Sequence, residues 1–155
     1  MKAFHHKTTV RAEWVDYNGH MNDAAYAAIF SESVDAWMDY IGLDEQQRDD
    51  HSYTIFTLET HLCYLQEAKQ GDPLHVTIQL LDLDKKRMHV FFSMNNKDDE
   101  TIATSEQMLM GINTETNRPD AFPSFVIETL ENIYKEHKQL ETPSRSGRTI
   151  GIRRK

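Results

Sequence analysis

The groups able to do chemistry concentrate in one short stretch, Glu13-Trp14-Val15-Asp16-Tyr17-Asn18-Gly19-His20-Met21-Asn22-Asp23. The Asn18-Gly19 pair favours a tight turn, and a helical pattern begins at Asp23. The first N–H groups of a helix lack intrahelical partners, so those of Met21, Asn22 and Asp23 fall where developing negative charge is stabilised. A carboxylate beside such donors suits attack on a carbonyl. Asp16 would serve as general base or nucleophile, the backbone N–H groups would hold the oxyanion, and Gly19 would let the backbone come close. The same residues have a purely local alternative. Asp16 and Asn18 can make an Asx-type turn, and Asn22 can simply cap the helix. His20 gains a role only alongside Asp16.

Other reactive side chains are less well placed. Glu32 shares a polar stripe with Asp35 and Asp39, as a solvated helix face does. Glu59 and His61 lie on one face of a strand and either join a composite site or meet water. Cys63 has only His61 near it in sequence and reads as packing. The eight histidines form no HExxH and no cysteine cluster accompanies them, so neither a metal site nor a cofactor is expected.

The elements that must position Asp16 follow from periodicity. Thr8 to Trp14 is a β-prone run. From Asp23 to Ile41, Tyr26, Phe30, Ser33, Trp37 and Ile41 repeat on one helical face, with Ile29 and Val34 beside them. Such a helix is about 28 Å long, is capped by Asn22 and ends at Gly42. A polar loop is expected over Asp44 to His51. Thr54 to Leu65 alternates Phe56, Leu58, Leu62 and Tyr64 against Thr57, Glu59 and His61, and Leu74 to Leu81 alternates likewise. Turns at Gly71-Asp72-Pro73, Leu83-Asp84-Lys85 and Asn96 to Asp99 set off two more strands, Lys86 to Asn95 and Thr101 to Thr114. Ser124 to His137 reads as a shorter helix. The order predicts an α+β fold in which a curled, antiparallel, five-stranded sheet wraps one long helix, with a short C-terminal helix. One domain covers 1–140 and a basic tail 141–155. A lone sheet of this kind has edges, which favours pairing with a second copy as a homodimer or homotetramer.

Composition narrows the class. The chain has 155 residues, 39% hydrophobic and 10% aromatic, with a net charge of −8, which disfavours general nucleic-acid binding. No apolar run approaches the roughly 20 residues of a membrane span. Met1 to Lys7 lacks the apolar core of a secretory signal, and a lone cysteine suits a reducing cytoplasm. The charge is uneven. Arg145, Arg148, Arg153, Arg154 and Lys155 come with no acid, leaving the preceding residues at −13 against −8 overall. The tail is either a free solubilising end or an arm, led by Arg145 and Arg148, that reaches phosphates such as those of coenzyme A.

An Asp shortly before Gly-His-(Val/Met)-Asn, then small residues and a Tyr opening a long helix, resembles the acyl-CoA thioesterases of the 4-hydroxybenzoyl-CoA thioesterase type. Here the pattern is Asp16, Gly19-His20-Met21-Asn22 and Tyr26. The resemblance continues through Tyr64, Glu67-Ala68, Gly71-Asp72, Asn117-Arg118-Pro119 and Pro123. It implies the hot-dog fold, an acyl-CoA substrate, and a site in which His20 and Asn22 orient water or substrate while Tyr26 faces them. The segment Trp14 to Asp23 and the Arg-rich end are also similar to thioesterases for betainyl-CoA found with carnitine catabolism. Trp14, Tyr17, Tyr26, Trp37 and Tyr40 would then attract a quaternary ammonium by cation–π contact, against a bland alternative of core and interface packing.

Two other classes compete with a hydrolase. Hot-dog hydratases and dehydratases use a different Asp/His or His/Glu arrangement, which Asp16 to His20 mimics only faintly. A non-catalytic acyl-CoA sensor would have no need of Asp16.

Overall fold

Asn22 opens the long helix α1 (Asp23–Tyr40) with its side chain accepting the Ala25 N–H at 2.9 Å. The computed structural model describes residues 2–154, so Lys155 of the basic tail lies outside the described residues. At its far end α1 stops at Gly42, whose φ of +90° only glycine adopts without strain. The N–H groups of Gly42 and Leu43 then close on Asp39 and Met38 at 3.1 and 2.8 Å, the two bonds of a Schellman ending.

Residues 44–51 are not the loop that their polarity suggests. Glu45–His51 is a helix, α2, because Asp44 caps Gln47 at 2.9 Å and Arg48 and His51 sit where the helix dipole is negative. No residue of α2 is buried, so it leaves no apolar rhythm to read.

The first strand, β1 (His6–Thr9), starts earlier and ends sooner than the run Thr8 to Trp14 implies. Its ladder stops where Thr9 faces Pro73, which has no N–H to donate, and the chain bends into a single 3-10 turn at Ala12–Trp14. The remaining strands are β2 (Tyr53–Tyr64), β3 (Pro73–Leu83), β4 (Arg87–Asn95), β5 (Thr101–Asn113) and the two-residue β6 (Arg118–Pro119). They form a curled antiparallel sheet in the order β1-β3-β4-β5-β2, with β6 appended to β5. The helix α1 fills its concave side. Phe30 meets Phe92 at 6.1 Å and Trp37 donates Nε1–H to Met88 Sδ at 3.4 Å. The last helix, α3 (Ser124–His137), adds Val126, Leu130 and Ile133 to the same core, each such side chain worth about 1.5–3 kcal/mol when fully buried. Among the described residues no helix is long and apolar enough to cross a membrane.

In β2, a register shift between Thr57 and Glu59 reverses the alternation partway along. Tyr53 and Ile55 are therefore buried before it, and Leu62 packs on the core after it. Phe56 and Leu58, expected on the core face, stand 49% exposed on a strand at the edge of the sheet. Across the convex face, Gln79, Phe91, Glu106 and His61 lie in one row of the register.

Candidate functional site

Asp16 stands in a loop that closes on itself. The N–H of Asp16 donates to His20 O, and that of Gly19 to Asp16 O, each at 2.9 Å, with Gly19 at φ +77°. Asp16 Oδ1 accepts the N–H groups of Asn18 and His20 at 2.8 and 3.1 Å. The local Asx turn is thus formed, and it uses only one carboxylate oxygen. Oδ2 takes no hydrogen bond among the described residues, and the side chain is exposed.

The loop is braced by the segment after β2. Met21 N–H donates to Ala68 O at 2.7 Å, Gln70 N–H to Gly19 O at 3.2 Å, and His20 bridges to Lys69. Asn22 N–H donates to Trp14 O at 2.9 Å. The three backbone donors expected at the helix start therefore narrow to one. Met21 and Asn22 spend theirs holding the loop, while no such bond occupies the N–H of Asp23 among the described residues. The Asn22 side-chain oxygen is likewise committed to its cap, leaving the Asn22 amide nitrogen for other contacts.

His20 Nδ1 lies 3.4 Å from Glu67 Oε2, a neighbour that spacing along the chain gives no reason to expect. Tyr26 is buried; its hydroxyl donates to Gln66 O at 3.0 Å and its ring meets Tyr64 edge-on at 5.2 Å. Burial pushes the Tyr26 phenol up from its ordinary value, chiefly by penalising the anion, so it remains a neutral donor. Tyr64, 51% exposed, reaches Asp23 O with its hydroxyl at 3.4 Å. Asp16, His20, Glu67, Tyr64 and the N-terminus of α1 thus come together at one end of the helix.

The expected aromatics divide. Tyr17 is 97% exposed beside Asp16. Trp14 is nearly buried under the guanidinium of Arg11, 4.2 Å from its ring centre. Trp37 and Tyr40 lie at the opposite end of α1, stacked at 5.5 Å and closed by Phe4. At 1.5 Å per residue that is roughly 25 Å from Asp23. Trp37 is core and Tyr40 packs against it half-buried, so neither ring faces the Asp16 loop.

The basic tail crosses the convex face of the sheet. Gln79 Nε2 donates to Glu141 O at 3.3 Å, Ser146 Oγ to Glu106 Oε2 at 3.3 Å, and Gly147 N–H to Glu106 Oε1 at 2.7 Å. His89 Nε2 sits 2.6 Å from Glu106 Oε2. Phe91, between these anchors in the register, is 4% exposed although it lies outside the core cluster. Arg148 lines an open cavity of about 580 Å³ with Glu59, His61, His89 and Glu106. Arg145, Arg148 and Arg153 line a second hollow of about 540 Å³. Nothing in the pattern of β5 singles out Glu106, because its partners lie 17 and 41 residues away.

The profile of the thioesterase-like superfamily matches residues 10–130. The betainyl-CoA thioesterase of Pseudomonas aeruginosa is 40% identical over 95% of this chain and 93% of its own length. An L-carnitine dehydrogenase/betainyl-CoA thioesterase of a Rhizobium species is 39% identical over 95% of this chain, which spans 30% of that longer protein. A hypothetical protein of Staphylococcus aureus, solved in complex with CoA, superposes with a TM-score of 0.92 at 39% identity, covering 98% of this chain and 96% of the other.

Proposed function

Because the chain belongs to the thioesterase-like superfamily and is an acyl-CoA thioester hydrolase, we propose that Asp16 carries its chemistry and that its acyl group is betainyl. The observation that carries the first part is the division of labour within one carboxylate. Oδ1 is fixed by two backbone N–H groups, while Oδ2 is left to act beside the start of α1. The thioester carbonyl, set against the N–H of Asp23, meets the positive end of the helix dipole as its oxygen becomes negative. Asp16 takes a proton from water as the water oxygen bonds to the carbonyl carbon. The C–S bond then breaks, and the sulfur leaves with the electron pair and receives the proton, giving free acid and CoA. His20, held by Glu67, and the Asn22 amide nitrogen orient the water. Direct attack by Asp16, followed by hydrolysis of the anhydride, uses the same groups.

A cationic acyl group is supported by the exposed rings of Tyr17 and Tyr64, by the neighbouring acids Asp23 and Glu67 and by the net charge of −8. The named activity of the Pseudomonas relative points the same way. Arg145 and Arg148 supply cations for the phosphates of CoA. The test is thiol release from a panel of acyl-CoAs, with betainyl-CoA set against straight-chain acyl groups. A preference for betainyl-CoA that vanishes in Asp16→Asn is the expected result. Uniform rates across the panel would sink the betainyl assignment, and activity that survives Asp16→Asn would sink the role of Asp16.

The free edge of β2, with Phe56 and Leu58 half exposed on it, fits pairing with a second copy of the chain. Leu58→Arg is expected to shift the mass measured by light scattering to that of one chain. An unchanged oligomer would place the contact elsewhere.

A further inference from the structure

We infer that Glu106 is a positioning residue for CoA recognition, latching residues 141–148 to the convex face of the sheet so that Arg145 and Arg148 are presented as a fixed cationic clamp for the phosphates. The inference rests on the acyl-CoA reading above and goes beyond it by assigning a role to a residue remote from the reacting bond.

Three observations carry it. First, Glu106 is a mostly buried acid, its side chain 14% exposed, and such a group stays charged only when well paired. Its partners are His89 on the neighbouring strand and two groups of the tail, the Ser146 hydroxyl and the Gly147 N–H. Second, the latch grips the tail by a hydroxyl and a backbone N–H and not by its cations. Among the described residues Arg145, Arg148 and Arg153 make no ion pair, although the chain as a whole carries −8. Guanidinium groups held close together and left unpaired on an acidic protein mark a place for an anion. Third, the anchor lies next to the clamp in sequence. Gly147, at φ +70°, adjoins Arg148, and Arg148 N–H closes back on Arg145 O at 3.3 Å.

The physical gain is preorganisation. A free tail would have to lose backbone and side-chain entropy as it closed on a phosphate, at about 0.5–1.5 kcal/mol for each immobilised long side chain. Fixing the backbone at Gly147 moves that cost into folding. His89 and the Ser146 hydroxyl meet Oε2, and Oε1 accepts the Gly147 N–H. Glu59 and Glu106 share the cavity with Arg148, so the anion must meet the guanidinium faces turned away from these carboxylates.

The decisive measurement is the ratio of kcat/KM for an acyl-CoA to kcat/KM for the same acyl group on pantetheine, which lacks the phosphates. Glu106→Ala is expected to lower that ratio about tenfold through KM, in line with the loss of one or two ordered charge-assisted contacts. A general loss of stability would depress both substrates and leave the ratio alone. Arg145→Ala/Arg148→Ala should lower the ratio as well, and adding Glu106→Ala to that pair should change nothing further, since coupled residues are not additive. Should Glu106→Ala fold poorly, Ser146→Ala removes one of the two tail contacts from the tail side without altering the backbone and should move the ratio in the same direction by a smaller amount. An unmoved ratio in both variants overturns the latch. If the protein hydrolysed no thioester at all, calorimetric affinities for CoA and pantetheine would supply the same ratio. The hydrolase reading would then fall while the latch stood or fell by whether Glu106→Ala closed the gap between the two ligands.

Discussion

The Asp16 turn and the Glu106 latch solve related problems with the same group, and they differ in reach. In both, one oxygen of a carboxylate accepts backbone N–H, two groups at Asp16 and one at Glu106, and fixes a segment. Asp16 holds its own loop, accepting from residues two and four places on. Glu106 holds a segment 40 and 41 residues away and is itself held across the sheet by His89. The local device leaves Asp16 Oδ2 free at the surface, as a reacting group requires. The non-local device uses both of its oxygens, as a fastening requires.

The comparison is broken most severely at Asp16. Asparagine is nearly isosteric and keeps an acceptor oxygen, so Asp16→Asn should retain the bonds from Asn18 and His20 and melt close to the unmodified protein. Its kcat should nevertheless fall by about 10²–10⁴, the usual contribution of a positioned acid or base. Asp16→Ala should lose the same activity and, in addition, about 0.5–1.5 kcal/mol of stability as water replaces the turn's side-chain acceptor. If Asp16→Asn kept its kcat, the carboxylate would be a turn residue and nothing else.

The next test acts on the latch through pH. Burial by itself would raise the Glu106 carboxyl; the N–H of Gly147, the His89 ring and the Ser146 hydroxyl outweigh it and hold the group below its ordinary value. A depressed carboxyl contributes stability that is present above the unfolded value and is lost as pH falls through the folded one. The latch should therefore stay closed through the ordinary carboxylate range, near about 4.3 for glutamate, and open only in more acid solution. The Gly147 amide resonance should move together with the Glu106 carboxyl carbon. Movement complete above that range would show that the tail is held by something else. The titratable or charged groups facing Glu106 in the cavity are His89, His61, Glu59 and Arg148.

The difference in reach also decides what could be read from the sequence. Asp16, Asn18-Gly19 and the Asn22 cap are local devices whose spacing is their mechanism, and the turn and the helix start stand where the residues put them. The same holds for the apolar face of α1, because Tyr26, Phe30, Ser33 and Trp37 repeat at the period of the helix they bury. Phe56 and Leu58 broke the alternation because a bulge moved the phase of β2, and a bulge leaves no mark in a run of β-formers. The helix α2 has no apolar periodicity, because all of its residues remain outside the core. The N–H groups of Met21 and Asn22 find their acceptors, Ala68 and Trp14, only in the folded loop, so the spacing of residues does not reveal that they are occupied. Trp37 and Tyr40 share a helix with Tyr26, but the helix length puts them at its other end.

His20 lies between the two extremes, part of a local turn yet paired with a residue 47 positions away in the chain, and its test is the mildest. The Glu67 side chain is 74% exposed and 3.4 Å from the ring, and exposed pairs contribute only about 0.2–1 kcal/mol. Glu67→Gln should therefore reduce kcat by less than about fivefold and leave the melting temperature nearly unchanged. A much larger fall would mean that Glu67 does more than steer the histidine. It would then rank with Asp16 as a group acting on the substrate, and the division between a reacting carboxylate and its supports would have to be redrawn.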